Sequence, residues 1–145
     1  MSRAALFVST LLLALTCSTV SQAQTVASTV SKWGMLGSWK VDCSRAANRD
    51  DPVYTYVLKG RRAFLDRDYG DLHDSLLIAT ARVNADDTLQ LTINFTGHVR
   101  EHIYAKSGGR WRVIRNRNLN TNEHSVRDGK YSDGGQTTVW LNRCR

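Results

Sequence analysis

Proline occurs once in this chain, and no apolar run is long enough to cross a bilayer as a helix, which takes about 20 residues. The longest such run, Ala4 to Leu15, stops well short of that. A Gly-x-Ser-x-Gly nucleophile turn is missing, and no repeat period or low-complexity block divides the sequence. These absences exclude a helical membrane protein, a repeat array and the commonest serine hydrolase signature. They leave one domain. The lone proline, Pro52, stands at the start of an apolar, β-branched run, where no ladder hydrogen bond is lost. Acid is also scarce, with 13 Asp and Glu against 20 Lys and Arg.

The first 23 residues have the order of a secretory signal peptide. Arg3 is a short positive start, an apolar stretch follows, and Ser21-Gln22-Ala23 places small residues for cleavage after Ala23. A lipid-modified first cysteine at Cys17 is the rival reading, but Ala14 and Thr16 occupy places where such a site needs Leu and a very small residue. Cleavage takes away 23 of 145 residues, leaving 122, enough for one domain with a real core. It removes one Arg and no acid, so the formal charge falls from +7 to +6. The expected location is exported, periplasmic or secreted, with no transmembrane span in the mature chain. A basic exported protein favours anionic partners: lipid surfaces, acidic polysaccharide or acidic proteins. That location disfavours nucleic acid.

Cysteine is nearly as scarce as proline. Of three, only Cys43 and Cys144 survive cleavage, and two cysteines in an oxidising compartment most simply form one disulfide. Closing a loop of about 100 residues is worth on the order of 4–5 kcal/mol in the chain-entropy model.

Residues 24–32 are small and polar and read as a flexible lead-in to a domain over 33–145. From Trp33 onward the pattern is strand after strand. Leu89, Leu91, Ile93 and Phe95 alternate with Thr88, Gln90, Thr92 and Asn94, a period of two. Residues 52–58, 74–83, 98–105, 110–115 and 136–142 are rich in β-branched and aromatic residues, and 61–70 and 121–127 supply two more segments. The breaks between them are Gly, Asn and Asp turns. No amphipathic helix stands out. The spacing predicts an all-β domain of eight or nine antiparallel strands, an up-and-down barrel or a sandwich. Trp39 shares parity with Cys43, and Trp140 with Cys144, so a disulfide between first and last strands would bring the two tryptophans together.

Gly37-Ser38-Trp39 on a first strand, with Arg143 beside the last, resembles the Gly-x-Trp and terminal Arg of lipocalins and related calycins. The opening, a Gly-x-Trp followed by Asp-Cys-Ser, is also similar to that of a group of small exported bacterial lipocalin-like proteins. The resemblance covers the two ends of the chain and the strand count; a Thr-Asp-Tyr-like stretch of the family has no match. It implies a single closed up-and-down barrel. Trp39 would then plug one end, with Arg143 across its indole, and a small apolar or amphipathic molecule would lie inside.

Residues 66–74, DRDYGDLHD, gather Asp66, Asp68, Asp71 and Asp74 around His73, but the fifth and twelfth places of a calcium loop fall on Gly70 and Leu77. They read as a solvated face. His98 and His102 have helical zinc-ligand spacing, yet on a strand they stand about 13 Å apart at roughly 3.3 Å per residue. They read as exposed strand histidines, and no metal or cofactor is expected. Arg110, Arg112, Arg115 and Arg117 crowd eight residues around Trp111, suiting phosphate or sulfate groups. Strict alternation puts the first pair and the second pair on opposite faces, and Val113-Ile114 marks a bulge or strand end. The competing reading is a basic outer surface. The expected function is binding rather than catalysis, of a small amphipathic ligand or, alternatively, of an anionic partner surface.

Overall fold

A computed structural model describes residues 25–145; the expected signal peptide, residues 1–23, lies outside the described residues. The first element is a helix, α1 (Val26–Trp33), followed by β1 (Gly37–Lys40), β2 (Val53–Lys59), β3 (Arg62–Asp68), β4 (His73–Val83) and β5 (Leu89–Phe95). Then come β6 (His98–Ser107), β7 (Arg110–Asn118), β8 (His124–Arg127), β9 (Lys130–Tyr131) and β10 (Asn142–Cys144).

Helix α1 corrects the expectation of a flexible lead-in over 24–32. Thr25 caps it by accepting the Ser28 N–H, and Gly34, at φ 88°, ends it in the left-handed conformation. Val26, Thr29, Val30 and Trp33 fall at one helical face, and the last three are buried. The helix packs on β3 and β4, and the Trp33 indole donates to the Asp87 carbonyl at 2.9 Å. A short helix of this kind is stable only through such docking.

The strands form one antiparallel sheet in the order β10-β1-β2-β3-β4-β5-β6-β7-β8-β9. From β1 to β9 each strand neighbours the next in sequence, and β10 joins β1 at the other edge, with Trp39 opposite Arg143. The sheet curls over on itself, so that side chains of β2 and β6 meet: the Tyr56 and Tyr104 hydroxyls are 2.9 Å apart. Its core includes Leu65, Ile78, Leu89, Leu91, Ile93 and Trp111.

Two expectations change. The strands number ten rather than eight or nine: β8 falls within the expected segment 121–127, and the two-residue β9 paired to it is the extra one. The sheet is also not closed by a continuous ladder. Residues 136–142, expected as a strand, form only the isolated bridges Trp111↔Leu141 and Lys130↔Thr137 before β10 begins. The physical reason is Thr138, which is buried and ties its N–H to Gly129 O (2.8 Å) and its hydroxyl to Val113 O (2.6 Å). These bonds hold the chain across the gap between the two edges without regular pairing.

At the chain ends, Cys43 and Cys144 are disulfide-bonded, with Cα atoms 5.4 Å apart. Trp39 is buried, donates its indole N–H to Met35 O at 2.7 Å and lies under Arg143, whose Cζ is 5.7 Å from the ring centre. Gly37 makes this close approach feasible. Its φ is 122°, and a Cβ there would stand 3.1 Å from Arg143 Nε. Trp39 does not meet Trp140. Cys43 sits beyond the end of β1, where strand parity no longer holds, and Trp39 packs on Trp111 instead, with ring centres 5.7 Å apart.

Among the described residues no helix is long and apolar enough to cross a membrane.

Candidate functional site

Inside the curl lies a cavity of about 450 Å³. Alternation aims one face of each strand into it: Tyr54 and Tyr56 from β2, Leu65 and Arg67 from β3, and Arg100, His102 and Tyr104 from β6. Phe95, Trp111, Val113, Val126 and Leu141 complete an apolar wall. The size and lining fall in the range of small-molecule pockets.

The polar groups on this wall differ sharply in how they are satisfied. Arg67 makes a two-pronged pair with Asp74, through Nε to Oδ1 at 2.8 Å and Nη2 to Oδ2, which holds its pKa above the usual value. Its guanidinium also lies over the Phe95 ring, at 4.9 Å. Arg100 has only neutral partners, donating to Asn116 Oδ1 at 2.6 Å and to Ser125 Oγ at 2.9 Å. Among the described residues no carboxylate forms an ion pair with it, and burial lowers its pKa. It stays cationic at neutral pH.

His102 is buried behind Arg100. Its Nδ1 lies 2.7 Å from the Tyr104 hydroxyl, which in turn accepts from the Tyr56 hydroxyl. With its oxygen accepting from Tyr56, Tyr104 has its own proton to give to Nδ1. The neutral ring then carries its hydrogen on Nε2. That Nε2 is buried and has no hydrogen-bond partner. Burial, with Arg100 and Arg67 nearby, pushes the His102 pKa down to about 3. Burial likewise raises the pKa of Tyr54, Tyr56 and Tyr104.

The histidines were therefore misjudged from sequence as exposed. His98 is half-buried and stacks on Phe95 with ring centres 5.1 Å apart, and both His98 and His102 line the cavity. Among the described residues no three His, Cys, Asp or Glu side chains form a group that could hold a metal ion. Asp66, Asp71 and Asp74 are engaged in ion pairs, with Lys59, Arg49 and Arg67 in turn, and Asp68 Oδ1 lies 3.3 Å from Nδ1 of His73.

The arginine cluster also departs from expectation. Ile103 pairs with Arg115 but Tyr104 with Val113, so Ile114 is an extra residue on β7. The bulge reverses parity, and all four arginines occupy the outer face of the sheet rather than opposite faces. They do not act alike there. Arg110 and Arg112 lie over Trp140, at 5.7 and 4.9 Å, while Arg117 pairs with Glu101 at 3.2 Å. Arg115 is exposed, with no ion pair among the described residues.

Comparison of the chain with protein-family models, curated proteins and solved structures finds no match.

Proposed function

We propose that this protein is an exported, non-enzymatic binding protein that holds a small amphipathic molecule inside its curled sheet, in the manner of a lipocalin-like barrel. The observation that carries this reading is the cavity of about 450 Å³, walled mainly by aromatic and aliphatic side chains with a few convergent polar groups. The Gly37–Trp39–Arg143 contact at one end supports the same comparison. Native mass spectrometry of protein purified from its own host is the direct test. A non-covalent adduct of lipid or metabolite size, released on denaturation, is the expected result. Bare polypeptide, with no calorimetric response to any amphiphile, would refute the reading.

A second reading is favoured by the outer arginine face, where Arg110, Arg112 and Arg115 have no carboxylate partner among the described residues. It makes the domain an interaction module for an anionic protein, polysaccharide or lipid surface. Such binding would weaken as salt rises, because exposed charges are screened over roughly 8 Å at physiological ionic strength. Changing Arg110 and Arg112 to Gln, or Arg115 and Arg117 to Gln, would then reduce retention on anionic vesicles. Unchanged retention in both double variants would leave the arginines as a solubilising surface.

A further inference from the structure

The polar groups of the cavity are not distributed at random, and their imbalance specifies a ligand. Six acidic, basic or histidine side chains line the wall: Asp50, Asp51, Arg67, His98, Arg100 and His102. Asp51 is engaged with Lys40 at 3.4 Å, and Arg67 with Asp74. Asp50 is exposed. Arg100 is partly desolvated and makes no ion pair among the described residues, Glu123 acting on it only from beyond contact. Two residues along the same strand, and on the same face, His102 offers a buried Nε2 that nothing among the described residues satisfies. A buried N–H without an acceptor is costly, as is a desolvated cation without an anion. Arg100 lacks an anionic partner and the His102 N–H lacks an acceptor, and one negatively charged acceptor suits both.

We propose that the cavity takes an amphiphile with a single carboxylate head, seated between Arg100 and Nε2 of His102, with its apolar body against Phe95, Tyr56 and Trp111. This rests on the reading of the cavity as a binding site and adds the charge of the ligand and its orientation. A carboxylate matches the guanidinium fork and accepts from the imidazole N–H with its remaining lone pairs. The Tyr56–Tyr104 relay is a positioning device. It occupies Nδ1, and so keeps the hydrogen on Nε2, where the head group would accept it. An ammonium head has no place there, since Arg100 would repel it and the Nε2–H of His102 would find no acceptor on it.

Calorimetric titration of the full domain with decanoate, decanol and decyltrimethylammonium tests the proposal, with Arg100→Gln alongside. Decanoate is expected to bind at least about tenfold more tightly than decanol, the range of a charge-assisted hydrogen bond, and the ammonium not at all. In Arg100→Gln the preference should vanish while decanol affinity stays within about twofold of the parent. Equal binding of decanoate and decanol by the parent would overturn the head-group assignment and leave the cavity reading standing. No binding of either would overturn the cavity reading, and this proposal with it. A carboxylate preference that persists in a folded Arg100→Gln would overturn the role of Arg100. Should that variant not fold, Arg100→Lys keeps the charge without the fork. A reduced preference there supports the assignment, and an unchanged one refutes it.

Discussion

Trp39 joins three parts of the molecule: its N–H holds Met35 O, its ring packs on Trp111, and Arg143 covers it from the last strand. Truncation to Ala would remove all three contacts. The expected cost is about 3–5 kcal/mol, read as a lower urea midpoint at unchanged slope. His102 makes a prediction in pH. Its folded-state pKa is depressed to about 3 from 6.5, because the ring is buried and faces Arg100 and Arg67, with Tyr104, Tyr56 and Phe95 as its uncharged neighbours. Above about pH 6.5 the ring is neutral in both states and the group adds no pH dependence. As pH falls from 6.5 towards 3, the unfolded chain binds a proton that the folded chain refuses. Stability therefore drops by up to about 1.4 kcal/mol per pH unit, and this contribution levels off below about 3. His102→Gln should flatten that slope between about pH 6.5 and 4.5, above the range where most carboxylates titrate. Denaturant midpoints across this window, parent against variant, decide it.

Helix α1 is the clearest case at the scale of the element. It is short and lies outside the sheet, and its hold on the domain is the burial of Thr29, Val30 and Trp33 against β3 and β4. Val30→Asp would place a carboxylate where there is no water and sacrifice roughly 1.5–3 kcal/mol of apolar burial. The helix should undock while the sheet persists. Limited proteolysis would show new cuts within residues 26–35 of the variant, absent from the parent, with the remaining fragment resistant. The bulge in β7 has a comparable reach, since one extra residue at Ile114 places Arg115 and Arg117 outside and turns Asn116 inward to meet Arg100. Without it the same residues would exchange faces, and the polar end of the cavity would lose one of its walls.

For the whole molecule, the unpaired sheet edges are the vulnerable feature, and the disulfide lies beside one of them. Cys43–Cys144 spans 101 residues and fastens β10 to the loop after β1. That loop is itself held down by Lys40, which is buried and donates to the Arg45 and Ala46 carbonyls at 2.6 and 2.8 Å. Removing the bond by Cys43→Ser frees a long loop in the unfolded chain, and the expected loss is on the order of 4–5 kcal/mol. Parallel unfolding of parent, reduced parent and variant would check it. The variant and the reduced parent should coincide well below the oxidised parent, and coincidence of all three would show that the bridge adds nothing.

Local pattern alone determined much of this protein. The period of two in Leu89–Phe95, the turn residues between apolar runs and the short connections already imply consecutive antiparallel strands, because alternation and turn chemistry act over a few neighbours. The pairing of Cys43 with Cys144 follows from there being no other partner once the expected signal peptide is set aside. Helix α1 was harder to see: Thr25 and Gly34 were its only marks, and the apolar positions between them are too few to make a stable helix without the sheet beneath. The doublet Val113-Ile114 announced a bulge, but where the chain points after a bulge depends on the partner strand's register. The cavity is decided entirely by tertiary structure. Arg67 and Arg100 are unremarkable strand residues in sequence, His102 reads there as an exposed strand histidine, and which parity faces inward is set by the way the sheet curls. Only when β2 meets β6 do Tyr56, Tyr104 and His102 link, and only then is Nε2 left without a partner at the wall of a cavity. Curvature is a collective property of ten strands, and no window of a few residues contains it.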